Sequence, residues 1–242
     1  GRLNVACPVC GDSHEDSTKK RGDLYWDTLQ YHCYNCGVHS NAYQLLKDYN
    51  EGKLQLNPIN ATFAGDNRFN DQFPNILSEN YLTKNNDFYK NYKLKLADFK
   101  ENDLTESQQM SKAVLDWDCD MALAQNSFKN DALMPINQMW TINLTMGQLA
   151  SGSSAQPFKT VKDYENWLGR LDGFYDWMQT AIKNMRQGTK EGYVLPTSLI
   201  KKVIPQFKDL AKTKTKEHLF YSPINNLPDS FSAGDKTELT IT

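Results

Sequence analysis

Apolar residues recur at helical spacing along most of this chain. Met110, Val114, Trp117 and Met121 step by 4, 3 and 4, the repeat of one helix face. Val161, Tyr164, Trp167, Leu168, Leu171, Met178, Ile182 and Met185 mark a second, longer helix. Thr160 is its candidate N-cap and Gly188 its candidate stop. Leu199, Ile200, Val203 and Ile204 mark a third, opening near Thr197, which Pro205 is expected to kink or end because its ring removes a backbone donor. Ser40 and Asn41 are N-cap candidates for a shorter stretch beginning at Ala42. Ser151 to Ser154 reads as a flexible joint.

The beginning of the chain breaks this pattern. A polar loop from Gly11 to Gly22 gives way to aromatic and β-branched residues up to Cys33, the composition of a short β-hairpin turning near Asp27 and Thr28. Residues 57–80 are rich in Asn, Asp and Pro and read as a loop-rich connection. Residues 217–242 are polar and read as a cut edge or a poorly ordered tail. The expected fold is a small β zinc ribbon over residues 1–46, followed by a mainly α-helical region over 47–242.

The zinc in that expectation comes from four cysteines. Cys7 and Cys10 form one Cys-x-x-Cys pair, Cys33 and Cys36 the other, with a spacer of about 20 residues between them. Each pair sits on a tight turn that aims two thiolates at one point, and two such turns complete the tetrahedron that one structural Zn²⁺ accepts. Two disulfides are the alternative pairing. Zinc-bound thiolates suit a reducing compartment.

Composition narrows the rest. At 39% hydrophobic residues the chain can build a core, and its net charge of -2 gives no general attraction to nucleic acid or to anionic membrane. No stretch approaches the ~18 consecutive apolar residues of a membrane span. The start lacks a signal-peptide pattern, although a leader could have been removed. Near the cysteines, however, Lys19, Lys20 and Arg21 accompany the rings of Tyr25, Trp26, Tyr31 and Tyr34. Cations that track phosphates beside rings that stack on bases suit single-stranded nucleic acid. The plainer reading makes the rings a small core and the basic triplet a solvated loop, and the acidic residues nearby oppose strong unaided binding.

No catalytic residue emerges. His14 and Glu15 lack the second histidine of a metalloprotease motif, since residue 18 is Thr. His32 and His39 flank a cysteine pair that already completes a ligand set, and His218 has no visible partner. Cys119, beside Asp116, Asp118 and Asp120, reads as a buried or half-buried structural thiol rather than a nucleophile, because acidic neighbours raise a thiol's pKa. Those aspartates read as a solvated stretch, because helical residues two apart point to different sides.

Two families are resembled. Residues 7–46 resemble the N-terminal zinc ribbon of DNA primases from T-even-type phages. The match runs through Cys7 to Ser13, Lys19 to Gly22, His32 to Gly37 and Ala42 to Leu46. It implies Cys7, Cys10, Cys33 and Cys36 as zinc ligands, contact with a single-stranded template, replication proteins as partners and a cytoplasmic setting, without polymerase activity in this chain. Residues from about 50 to 242 are similar to the N-terminal helical part of the domain-of-unknown-function 885 family, putative zinc peptidases that are often exported. Leu56 to Asp71, Pro157 to Leu171 and Met185 to Pro196 carry that likeness. It implies a non-catalytic helical part of a larger domain, since the family's His-Glu zinc motif has no counterpart here. Phage replication and export are different settings, so the pairing implies a fused, truncated or composite chain. The two functional expectations are a primase-type segment contacting single-stranded DNA, joined to a non-catalytic helical region, and an inactive fragment of a zinc peptidase.

Overall fold

Helix dominates this protein. A computed structural model describes residues 2–5, 22–25, 30–33, 42–139 and 141–241; up to residue 43, and at residues 212 and 241, it describes the backbone alone. Strands β1 (Arg2–Val5), β2 (Gly22–Tyr25) and β3 (Gln30–Cys33) form an antiparallel sheet in that order, with Val5 opposite Gly22 and Gly22 opposite Cys33. The helices are α1 (Ala42–Leu56), α2 (Pro58–Phe63), α3 (Glu79–Ala97), α4 (Glu106–Gln125), α5 (Asn130–Leu133), α6 (Ile142–Ala150), α7 (Val161–Glu191), α8 (Thr197–Lys212), α9 (Ser222–Asn225) and α10 (Ala233–Ile241). Among the described residues no helix is long and apolar enough to cross a membrane.

The expected fold class, a small β zinc ribbon ahead of a helical region, is corrected by this architecture. Wherever side chains are described there is no strand, and no zinc ribbon is seen. Three strands of four residues are a sheet on the backbone, and a ribbon also needs its metal ligands gathered at one point. Both clusters of buried side chains are instead built on helices, with Phe73 joining one of them from the segment between α2 and α3. Helix α1 already starts at Ala42 and places Leu45, Leu46 and Tyr49 in one of them.

The chain divides into two compact units, residues 1–53 with 85–126, and residues 54–84 with 127–242. In the first, Tyr49, Tyr92, Leu96, Leu115 and Cys119 are buried together. Tyr49 stacks on Phe88 with centroids 5.5 Å apart and meets Tyr92 edge-on at 5.0 Å. Gly52 brings α1 close to that ring: a Cβ there would lie 2.4 Å from Phe88 Cε2. Helix α4 opens with a capping box, the Thr105 hydroxyl accepting from the Gln108 amide and the Gln108 side chain accepting from the Thr105 amide. Its apolar stripe faces opposite to expectation. Met110, Val114, Trp117 and Met121 are exposed, while Leu115 and Cys119 are buried. Periodicity located the helix; the aromatic side chains of α1 and α3 selected the face that packs.

The second unit is organised by α7. Thr160 caps it as expected, in a capping box with Asp163. Gly188 does not stop it. The helix continues to Glu191, and Gly192 ends it at φ 86, in the left-handed region where glycine carries no steric penalty. Trp167, Phe174, Trp177 and Ala181 form one face of α7 and pack on Met146, Leu149 and Ala150 of α6. Gly169 and Gly173, one turn apart, allow the segment around Asp71 and Phe73 to lie against the helix. A Cβ at Gly173 would stand 2.5 Å from the Phe73 carbonyl oxygen.

Two further expectations change. Residues 57–80 hold α2, capped by the Asn57 side chain on the Asn60 amide, and a 3-10 turn over Asn67–Phe69. The polar C-terminal stretch is ordered into α9, α10 and two 3-10 turns. Phe220 packs on the core and Leu239 is buried, so a few apolar residues anchor a segment whose average composition is polar. Helix α8 runs through Pro205 rather than ending there.

Candidate functional site

Helices α7 and α8 are joined by the short connection Gly192–Pro196, and residues of both line one cleft. Between them lies a cleft of about 590 Å³. Phe174, Trp177, Met178, Ala181, Ile182 and Met185 line it from α7, at positions i, i+3, i+4, i+7, i+8 and i+11 of one face. Ile200, Val203, Ile204, Phe207 and Ala211 line it from α8 with the same periodicity. Leu133, Met134 and Ile136 close one side, and Tyr193, Val194 and Leu195 lie at the connection. No described side chain of α8 is fully buried: Val203 and Phe207 are half-buried at the cleft, and Ile200 and Ile204 are exposed there. No His, Cys, Asp or Glu is among the lining residues.

The polar residues of the lining are few: Asn143, Trp177, Thr189, Tyr193 and Lys208. Asn143, 4% exposed, accepts a hydrogen bond from the Thr141 hydroxyl through Oδ1. Its Nδ2 has no partner among the described residues. Trp177, 3% exposed and stacked on Phe174, has an equally unpartnered Nε1. A buried donor left without an acceptor costs roughly 1–3 kcal/mol. Lys208 adds an ammonium group to the lining and makes no ion pair among the described residues.

The other polar clusters are tied to structure. Arg170, 0% exposed, hydrogen-bonds through its guanidinium to the Gln156 side chain at 2.5 Å, the Thr62 hydroxyl at 2.9 Å and the carbonyls of Phe69 at 2.9 Å and Gln72 at 3.2 Å. Burial lowers its pKa to about 10, which leaves it charged at neutral pH. The aspartates of α4 part as helical geometry requires. Asp116 and Asp120 share Lys93, at 3.1 and 2.6 Å, while Asp118 meets Lys53 and the Tyr49 hydroxyl, each at 2.5 Å. Burial alone would raise the Asp118 pKa, but its bonds to Lys53 and Tyr49 and the Lys53 charge hold it below the ordinary value. The Tyr49 phenol is pushed well above its ordinary range by burial and by its bond to Asp118. Cys119 is a fully buried thiol, as expected, with its pKa raised by burial. His218 has a partner after all: its Nδ1 accepts from the Phe220 amide at 3.1 Å.

The residues singled out for zinc and DNA divide differently. Cys7, Cys10, Cys36, Lys19, Lys20, Arg21, Trp26 and Tyr34 lie outside the described residues. Cys33 ends β3 and Tyr25 ends β2, on the backbone alone. Among the described residues, no group of three or more His, Cys, Asp or Glu side chains stands close enough to hold a metal ion. The cleft was not anticipated, although its signal was present: α7 carries apolar residues on more than one side, and α8 carries an apolar face with no assigned partner.

The comparisons with known proteins concern two stretches. The family model of a bacterial protein of unknown function (DUF885) matches residues 58–241, which include every residue lining the cleft. The DNA primase of Enterobacteria phage T4 is 44% identical over 50 residues, 20% of this chain. The aligned stretch is 15% of the primase's own length. No solved structure matches the chain. Matched across its second unit and most of its length, the chain belongs to the bacterial family of unknown function DUF885.

Proposed function

We propose that the helical region holds an apolar ligand in the cleft between α7 and α8 and serves as a wall of a binding cleft rather than as a catalytic centre. The observation that carries this reading is the lining itself. Two helix faces and a short connection present aliphatic and aromatic side chains to one another across about 590 Å³, within the ~300–1,000 Å³ range of small-molecule sites. No pair of lining residues offers a nucleophile beside a base. The reading agrees with residues 58–241 being a non-catalytic part of a peptidase-type domain, in which such a wall would receive apolar groups of a substrate. Titration with Nile red, a neutral dye whose emission reports apolar surroundings, tests it. One saturable site is expected, weakened by Ile204→Glu, since a carboxylate among the lining residues must give up water when an apolar ligand covers it. Dye binding that ignores Ile204→Glu refutes the reading.

The similarity to the phage primase favours a second role for the first part of the chain. We propose that Cys7, Cys10, Cys33 and Cys36 hold one Zn²⁺, and that Lys19, Lys20, Arg21, Tyr25, Trp26 and Tyr34 contact single-stranded DNA. Four thiols in two Cys-x-x-Cys pairs are a donor set suited to zinc, and the backbone of β3 ends at Cys33. Zinc there would hold the segment together and leave the DNA contact to the cations and rings. Metal analysis should give one zinc per chain, lost on Cys33→Ser/Cys36→Ser. DNA binding should weaken with salt and with Lys19→Ala/Lys20→Ala/Arg21→Ala. Absence of zinc, or DNA binding unchanged in the triple variant, refutes this role.

A further inference from the structure

We infer that the exposed stripe of α4 is a self-association surface, on which a second copy of this chain lays the same helix antiparallel. The inference concerns the first unit and stands apart from the cleft reading.

Three observations carry it. The first is exposure. Met110, Val114, Trp117 and Met121 are 67%, 58%, 63% and 45% exposed, while Leu115 and Cys119 on the other side of the helix are buried. Singly scattered apolar residues are normal on a surface, but an unbroken row of four, with a tryptophan in it, marks an interaction face. The second is spacing. Steps of 4, 3 and 4 are those of a coiled-coil seam, along which two helices pack side by side. The same steps read identically from either end. A twofold axis through the middle of the row therefore sets Met110 opposite Met121 of the second copy and Val114 opposite Trp117 of the second copy, the isologous pattern of a symmetric dimer. The largest ring of the row then meets its smallest side chain. The third is charge. The row is flanked by Ser111 and Asp118 on one side and by Ala113 and Asp120 on the other. The antiparallel register brings Asp118 near Ser111 of the second copy and Asp120 near Ala113 of the second copy, so no aspartate faces another. Within the chain, Lys53 already holds Asp118 at 2.5 Å and Lys93 holds Asp120 at 2.6 Å. Flanks neutralised in this way repel a like helix little and leave a basic partner little to pair with, which favours a second copy over a cationic helix. Three turns of helix are a smaller contact than the ~800 Å² that each partner gives to a standard interface, so association in the micromolar range is expected.

Sedimentation velocity of the full chain under reducing conditions, across the micromolar range, tests this. The mass should rise with concentration from 27.7 kDa toward twice that value. Trp117→Glu should weaken the association at least about tenfold, the loss expected at an interface hot spot. Met110→Lys and Met121→Glu should each weaken it alone. An equimolar mixture of those two variants should recover it, because the register sets the introduced lysine beside the introduced glutamate. All three replaced side chains are exposed, so the helical signal and the unfolding midpoint of each variant should match those of the wild-type chain. A chain that stays at 27.7 kDa throughout, or a dimer that Trp117→Glu leaves intact, overturns the inference. A mixture that associates no better than its components overturns the antiparallel register. A monomeric chain that instead binds a synthetic Leu-Lys helix, and loses it in Trp117→Glu, gives the row to a cationic partner and overturns the self-association as well.

Discussion

The Arg170 guanidinium donates to the Thr62 hydroxyl at 2.9 Å across 108 residues of chain. That bond begins a set. Thr62 donates in turn to Asn70 Oδ1 at 2.6 Å, and Arg170 also holds the carbonyls of Phe69 and Gln72. One buried side chain thus fastens an Asn-rich segment, poor in apolar anchors, to the helix that lines the cleft. Arg170→Met keeps much of the volume and removes the donors. Several buried acceptors would lose their partner at once, so the expected loss is about 3 kcal/mol or more. Urea unfolding of the full chain measures it, and a loss below about 1 kcal/mol would mean that the segment is held by other contacts.

Gly173→Ala tests the closeness of the same segment to α7. A Cβ there would stand 2.5 Å from the Phe73 carbonyl oxygen and 2.9 Å from the Phe73 Cβ. Alanine favours helix by up to ~1 kcal/mol over glycine, but overpacking against backbone costs typically ~1–3 kcal/mol. The net expectation is destabilisation, read as a lower midpoint in thermal unfolding. A higher midpoint would show that Phe73 can withdraw.

Asp118 gives the first unit an acid limit. Its pKa lies below the ordinary carboxylate value because Lys53 and Tyr49 bond to it and Lys53 carries the opposing charge. A carboxyl with a depressed folded-state pKa contributes stability that is fully present above its unfolded pKa, ~3.9. That contribution is lost as pH falls through the folded value. Stability of the wild-type chain should therefore decline below about pH 4 more steeply than that of Asp118→Asn. Parallel curves for the two proteins would refute the assignment.

Pro205 lies inside α8, where it cannot donate to the Lys201 carbonyl. Its side chain is exposed, so Pro205→Ala should remove a helix penalty without opening a hole. A gain of about 1–3 kcal/mol is expected from the propensity difference, checked by denaturant unfolding. A loss would mean that the proline sets a bend that the cleft wall requires.

How much of this was legible in the sequence varies by element. Local signals read well where one residue's own chemistry decides the outcome. The Thr160 cap, the start of α8 at Thr197 and the burial of Cys119 were readable because capping and periodicity act over one or two turns. Composition misled where a few contacts outweigh an average. The stretch after residue 217 is polar, yet Phe220, Pro223 and Leu239 anchor it, and Tyr164 donates to the Pro223 carbonyl at 3.3 Å. Helix α3 was missed because its Asn and Lys residues dilute the apolar repeat that Tyr92 and Leu96 complete only beside their neighbours. The expected fold class read too much from four cysteines, whose spacing proposes ligands without assembling them.

The sequence by itself determined that helices run through the apolar repeats of α4, α7 and α8, that Thr160 caps α7 and which residue types could meet a metal or an anion, because those properties depend on neighbours within a few residues. Only the tertiary structure decided which face of α4 is buried and that glycines on α7 admit the 71–73 segment. It also decided that Arg170 serves carbonyls about a hundred residues away. The cleft belongs to the same class: two apolar helix faces with no mark in the sequence to pair them become a site only when the folded chain brings them together. Helices form from local hydrogen bonds, whereas partners for side chains are chosen among all the surfaces that the folded chain brings within reach.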